Sequence, residues 1–187
     1  VNERDLTERA QRGDSSAWED VLRIYQQPVF RLAFLLLGDA DEAEDVAQET
    51  FIHAYNALQR FDSERALRPW LLRIANNLAL NRRRSIGRYL AALRRTFLPA
   101  SEPTTQVHEQ NSAAWEAQTL WQAVKCLPAN DQQVIYLRYF LELSESETAT
   151  TLQIAPGTVK SRLSRALSRL RQIVDRDFPA LREERML

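Results

Sequence analysis

The chain has 187 residues, room for one ordinary domain or two small ones, and its 44% hydrophobic and 27% charged content is that of a folded protein rather than a disordered one. Four glycines and seven prolines are too few for an all-β chain built on tight turns, and no Gly-rich phosphate turn of a dinucleotide-binding fold is present. Lys+Arg and Asp+Glu both number 25, and the resulting net charge of zero argues, for the chain taken whole, against a nucleic-acid binder.

Helical periodicity runs from the start. A short first helix breaks at Gly13-Asp14-Ser15. Ser16 and Glu19 have capping-box spacing for a second, whose Trp18, Val21, Leu22 and Tyr25 follow at i, i+3, i+4, i+7. Pro28 is expected to kink that helix and Gly38 to end it. A third helix, 41–59, buries Ala43, Val46, Ala47, Ala54, Tyr55 and Leu58. A loop over 60–68 leads to Pro69, suited to a helix's first turn, and a fourth helix carries Leu71, Ile74, Ala75 and Leu78 on one face before Arg82-Arg83-Arg84. Periodicity stops between Pro99 and Ser112, where the composition predicts a flexible linker. It resumes with Ala117, Leu120, Trp121 and Val124 up to Leu127-Pro128, and a further helix carries Val134 and Leu137. Ser144 and Glu147 form a second capping-box pair opening a short helix to Leu152, Pro156-Gly157 breaks it, and a last long helix runs from Thr158. The expectation is an all-α chain: two small helical domains joined by a flexible linker, the second containing a helix-turn-helix.

Charge taken by segment overturns the neutral total. Asp39 to Glu49 holds six acids and no base, Arg65 to Ser101 nine arginines and no acid, and Thr158 to Val174 five bases and no acid. A solvated helix face would interleave the signs, because like charges at i, i+4 repel. Segregation of this kind makes local fields that a net value hides.

On the last helix Val159, Leu163, Ala166, Leu167, Leu170 and Val174 make the buried stripe. Ser161, Ser164, Arg165, Ser168 and Arg171 lie opposite, flanked by Lys160 and Arg162. Small hydroxyls allow close approach to DNA, and arginine offers the paired donors that a guanine edge accepts. Preceded by a capped short helix and a turn, this is a major-groove reading helix. In the first half, Phe61, Trp70, Asn76, Asn77 and Asn81 lie among Arg65, Arg68, Arg73 and Arg82 to Arg84. Rings and guanidinium planes stack on bases and arginines track phosphates, which suits a single strand. Phe61 and Trp70 serve equally well as core.

The acidic run from Asp39 resembles a calcium loop but has Glu44 where the sixth-position glycine belongs and Thr50 where the twelfth-position glutamate belongs. The helix dipole accounts for some of its acids, and the rest point to a docking surface. A single cysteine, Cys126, with His53 and His108 builds neither a disulfide nor a zinc site, so no cofactor is expected. No clustered histidines, nucleophile–base pair or two-metal carboxylate pattern suggests an enzyme. The longest apolar run, Leu32 to Leu37, is far below the roughly 20 residues that span a bilayer, and Val1 to Asp5 carry no signal-peptide character, so a cytoplasmic protein without membrane insertion is expected.

Residues Ala43 to Phe51, Phe61, and Pro69 to Asn81 resemble the second conserved region of extracytoplasmic-function (ECF) sigma factors. Leu127-Pro128, Val134, Leu137 to Tyr139, Leu143-Ser144 and Gly157 to Ala166 are similar to the fourth region of the same family, in the family's order and with its intervening linker. The resemblance implies a dissociable subunit of bacterial RNA polymerase that recognises promoters: region 2 over 1–98, a linker over 99–112 and region 4 over 113–187. It implies that Asp41, Glu42, Glu44, Asp45, Gln48 and Glu49 dock on the clamp helices of the largest polymerase subunit, with further contact to the flap region. It implies −10 contacts from Phe61, Arg65, Arg68, Arg73, Asn76, Asn77, Asn81 and Arg82, with a flipped non-template base held by the 61–68 loop. Thr158, Lys160, Ser161, Arg162, Ser164 and Arg165 match the −35-facing positions. The linker would thread toward the polymerase active site and RNA exit, and an anti-sigma factor is the implied inhibitor. Thr148 and Ser164 stand where relatives carry larger side chains. The rival reading of the residues alone is a stand-alone helix-turn-helix regulator.

Overall fold

The computed structural model describes residues 2–97 and 112–178, and every described regular element is helical. The linker expected over 99–112 lies, except for Ser112, outside the described residues.

The first half contains α1 (Glu3–Gln11), α2 (Ser15–Leu37), α3 (Ala40–Ala57), a 3-10 turn at Leu58–Arg60, and α4 (Leu67–Phe97). The start of α2 differs from the Ser16–Glu19 expectation. Its cap is Asp14, whose carboxylate accepts from the backbone N–H groups of Ser16 and Ala17 and also holds Arg9 at 2.7 Å. A carboxylate that gains a cation as well as the helix N–H groups outcompetes a serine one turn later. The Ser16 hydroxyl, the two N–H groups and Arg9 together hold the Asp14 carboxyl well below the usual carboxylate range. Helix α2 passes through Pro28 without interruption and ends at Gly38, whose φ of 76° takes the left-handed cap conformation. Helices α2, α3 and α4 pack around Val21, Val29, Leu32, Val46, Leu58, Leu67, Leu71 and Leu72, and α1 closes the core with Leu6. Tyr55, expected inside, is 56% exposed, while Phe51 and Thr50 are buried in its place. Trp18 meets both Phe51 and Tyr55 edge-on, so Tyr55 keeps its ring contact while its face stays in solvent.

The second half contains α5 (Ser112–Lys125), α6 (Ala129–Ile135) running into a π-helical turn at Tyr136–Phe140, α7 (Glu145–Leu152) and α8 (Pro156–Asp177). Trp121, Tyr136 and Phe140 form one aromatic cluster with centroids 5.4 to 5.8 Å apart. The capping box at Ser144 and Glu147 forms in full, with both reciprocal bonds present. Pro156-Gly157 is not the break but the first turn of α8, since a proline at the first helical position loses no hydrogen bond there. The turn is Gln153–Ala155, made possible by Gln153 at φ 55°. Helix α8 buries Val159 and Ala166, and Leu167 of the expected stripe is 39% exposed. Arg169 ties α8 to α6 through the buried carboxylate of Asp131.

The two halves pack against each other, α4 on α7 and the end of α2 near the π-helical turn.

Candidate nucleic-acid interface

Three expected surfaces emerge from this framework. On α3, Asp41, Glu44, Asp45 and Gln48 are exposed, and Glu42 and Glu49 are half-buried. Asp39 caps the helix by accepting from Glu42 N–H, so that acid is structural. Arg82, expected among the −10 residues, instead turns its guanidinium to this helix, 2.8 Å from Glu42, 3.9 Å from Asp45 and 3.7 Å from Glu49. It neutralises the inner edge of the acidic face and leaves the outer edge free. Exposed Ile52 and Tyr55 continue that face one and two turns beyond Gln48.

The second surface is a cavity of about 350 Å3 beside the 61–66 loop, lined by Ala57, Arg60, Phe61, Asp62, Arg65, Ala66, Trp70, Arg73 and Thr150. Phe61 and Trp70 form its aromatic wall, with centroids 4.5 Å apart and rings tilted by 37°. Trp70 is buried and Phe61 half-buried, so the rings serve core and cavity together. Residues not singled out from the sequence hold this loop. The Gln11 amide donates to the carbonyls of Leu58 and Phe61 at 2.9 and 2.7 Å. The Glu3 carboxylate accepts from the N–H groups of Leu67 and Arg68, capping α4 from a different helix. Asp62 accepts from Glu64 N–H and from Arg65 at 3.2 Å. Local pattern could not reveal Glu3 and Gln11, because each acts across a sequence separation of 47 residues or more.

Along α4, Arg73, Asn77 and Asn81 recur every four residues and so share a face, with Arg73 half-buried at the cavity and both asparagines exposed. Asn76 is separate: it is 4% exposed, and its side-chain oxygen accepts from the Gln133 amide at 2.7 Å. Arg68 donates to the Leu141 carbonyl at 2.7 Å. Two of the residues expected to touch DNA are therefore held by the second half.

The third surface is the outer face of α8. Lys160, Ser161, Ser164 and Arg165 are exposed together, and Thr158 and Arg162 are half-buried beside them. Arg165 makes one hydrogen bond, to the Ser161 carbonyl at 3.3 Å. A positive, hydroxyl-rich face at the start of the second helix of a helix-turn-helix is shaped to enter a major groove.

Comparison with known proteins agrees with this geometry. Residues 21–89 match the family description Sigma-70 region 2, and residues 117–170 match Sigma-70, region 4. The RNA polymerase sigma-H factor of Pseudomonas aeruginosa is 35% identical over 190 residues, covering 97% of this chain and 96% of the relative. The ECF RNA polymerase sigma factor SigW of Bacillus subtilis is 34% identical over 176 residues, 88% of this chain and 92% of the relative. Among solved structures, the sigma factor RpoE of Bartonella quintana, in complex with the anti-sigma factor NepR, matches with a TM-score of 0.65, 26% identity, and coverage of 85% of this chain and 97% of that one. CnrH, solved with the cytosolic domain of CnrY, shares the fold with a TM-score of 0.69 at 24% identity over 94% of this chain and 98% of that one. The chain belongs to the ECF family of RNA polymerase sigma factors and is an alternative sigma factor for transcription initiation.

Proposed function

We propose that the three surfaces divide the work of initiation: the acidic face of α3 docks core RNA polymerase, α8 reads the −35 duplex, and the cavity beside Trp70 holds a base of the melted −10 strand. The functional halves on this reading are residues 1–98 and 113–187. The observation that carries it is the cavity, because an aromatic wall ringed by Arg60, Arg65 and Arg73 combines stacking with phosphate attraction. Extruding a base costs a few kcal/mol of stacking, which stacking against a protein ring of about 1–3 kcal/mol helps to offset. Binding energy alone drives this melting, so the chain works as an initiation factor and not as a catalyst.

Asp41, Glu44, Asp45 and Gln48 supply the exposed polymerase-facing groups, with Glu42 and Glu49 behind them. Arg65, Arg68, Arg73, Asn77 and Asn81 serve the −10 strand, and Thr158, Lys160, Ser161, Arg162, Ser164 and Arg165 the −35 element. A cytoplasmic site of action follows from that role, and among the described residues no helix is long and apolar enough to cross a membrane. An anti-sigma factor is the fitting inhibitor, as the Bartonella quintana relative was solved with one.

The test is capture of core bacterial RNA polymerase by the chain and by its Glu44→Lys, Asp45→Lys double variant. The reading expects the double variant to lose capture while keeping its binding to −35 duplex. Undiminished capture would reject the α3 assignment.

A further inference from the structure

The second half covers the −10 surface of the first with chemistry that imitates a nucleic-acid strand. The π-helical turn ends at Leu141, whose N–H returns to Tyr136 and whose carbonyl lies among the orphan acceptors of a helix end. Arg68 donates to that carbonyl at 2.7 Å, as an arginine would to a phosphate oxygen. The Gln133 amide donates to Asn76 at 2.7 Å in a fully buried pair, as a base edge would. Thr150 stands on the rim of the cavity opposite Phe61 and Trp70, where a captured base has to enter. Beside these, the Thr151 hydroxyl is 3.4 Å from the Pro69 carbonyl and Arg83 is 3.4 Å from the Gln132 side chain. The Arg68 charge also acts on Glu147 of α7 across the same seam. None of this touches the reading face of α8, where Lys160, Ser161, Ser164 and Arg165 stay exposed.

We propose that α6, the π-helical turn and α7 form an intramolecular latch that competes with the −10 strand for Arg68, Asn76 and the Trp70 cavity, so that the closed chain can engage −35 duplex but not single strand. The inference rests on the functional reading above and adds an order to it: α7 must leave α4 before a base can be captured. A chain whose competent open form is a minor fraction binds its ligand weaker by that fraction, so about one open molecule in ten lowers apparent strand affinity about tenfold.

Two variants open the seam in different ways. Thr150→Arg places a cation facing Arg60, Arg65 and Arg73 from an exposed position, so α7 itself is not disturbed. Gln133→Lys puts a charge into the buried seam and breaks the Asn76 pair. The full chain, with Cys126→Ser, is labelled with donor and acceptor dyes at Ser16→Cys and Gln172→Cys. Strand binding is read by anisotropy with a fluorescein-labelled pool of random single-stranded dodecamers. The latch predicts high energy transfer in the parent, lower transfer in both variants, and roughly tenfold tighter strand binding by both. Transfer that is already low in the parent would overturn it, as would variants that open yet bind the strand no tighter. Polymerase-dependent run-off by the parent, measured alongside, separates the two failures. Normal run-off with unimproved strand binding sinks the latch alone, and absent run-off sinks the functional reading beneath it.

Discussion

Thr148 shows how a single residue departs from its surroundings. It is fully buried on α7, and its hydroxyl has no hydrogen-bond partner among the described residues. A buried hydroxyl left unpaired costs about 1–3 kcal/mol, and valine has nearly the same shape. Thr148→Val should therefore raise stability by about 1 kcal/mol in denaturant unfolding, and an equal or lower midpoint would contradict this. Tyr136 gives a pH dependence. Burial pushes its phenol up to about 12, against the pull of the Arg83 charge. Tyr25 is raised as well, by burial and by the Glu3 carboxylate. In the unfolded chain tyrosine ionises near pH 10, so the stability held by these phenols is complete below that pH and is lost as pH rises toward 12. Denaturant midpoints should fall between about pH 10 and 12 and track tyrosinate absorbance. At the acid end, burial pushes the Glu147 carboxyl up, but Ser144 and the charges of Arg68 and Arg138 outweigh it and hold it low.

At the scale of elements, the helix-turn-helix is where sequence pattern carried furthest. Its capping box, short first helix and exposed Arg/Ser face were all legible from spacing, since each is a local rule. Arg165→Ala should weaken −35 duplex binding by about 1–3 kcal/mol, and unchanged affinity on the selected −35 sequence would reject Arg165 as a reading residue. The same local rules misplaced the start of α2 and of α8. Asp14 gains Arg9 across a turn, and Pro156 is as well suited to opening a helix as to closing one. Leu167 and Tyr55 fell outside the core because periodicity gives a face but not its width. The Glu3 cap on α4, the Gln11 brace on the loop and the Gln133 bond to Asn76 were illegible, each being a contact between distant segments. The charge blocks were legible, but not the turn of Arg82 onto α3, because a run of arginines does not say which way each one points.

Across the whole molecule, a net charge of zero conceals an acidic helix, an arginine-rich helix and a basic recognition helix. Folding keeps these fields apart on three surfaces, and only Arg82 bridges acid and base between them. Segregation lets one small chain meet an enzyme surface, a duplex and a melted strand without the sites neutralising one another. The covered Asn76 and Arg68 add that these sites need not be available together. The most direct test of this account is run-off transcription by core bacterial RNA polymerase, with and without the chain, on a library randomised across the promoter. The account predicts transcripts that depend on the chain and enrich paired −35 and −10 elements at fixed spacing. Tight duplex binding without polymerase, and no chain-dependent transcript, would contradict it.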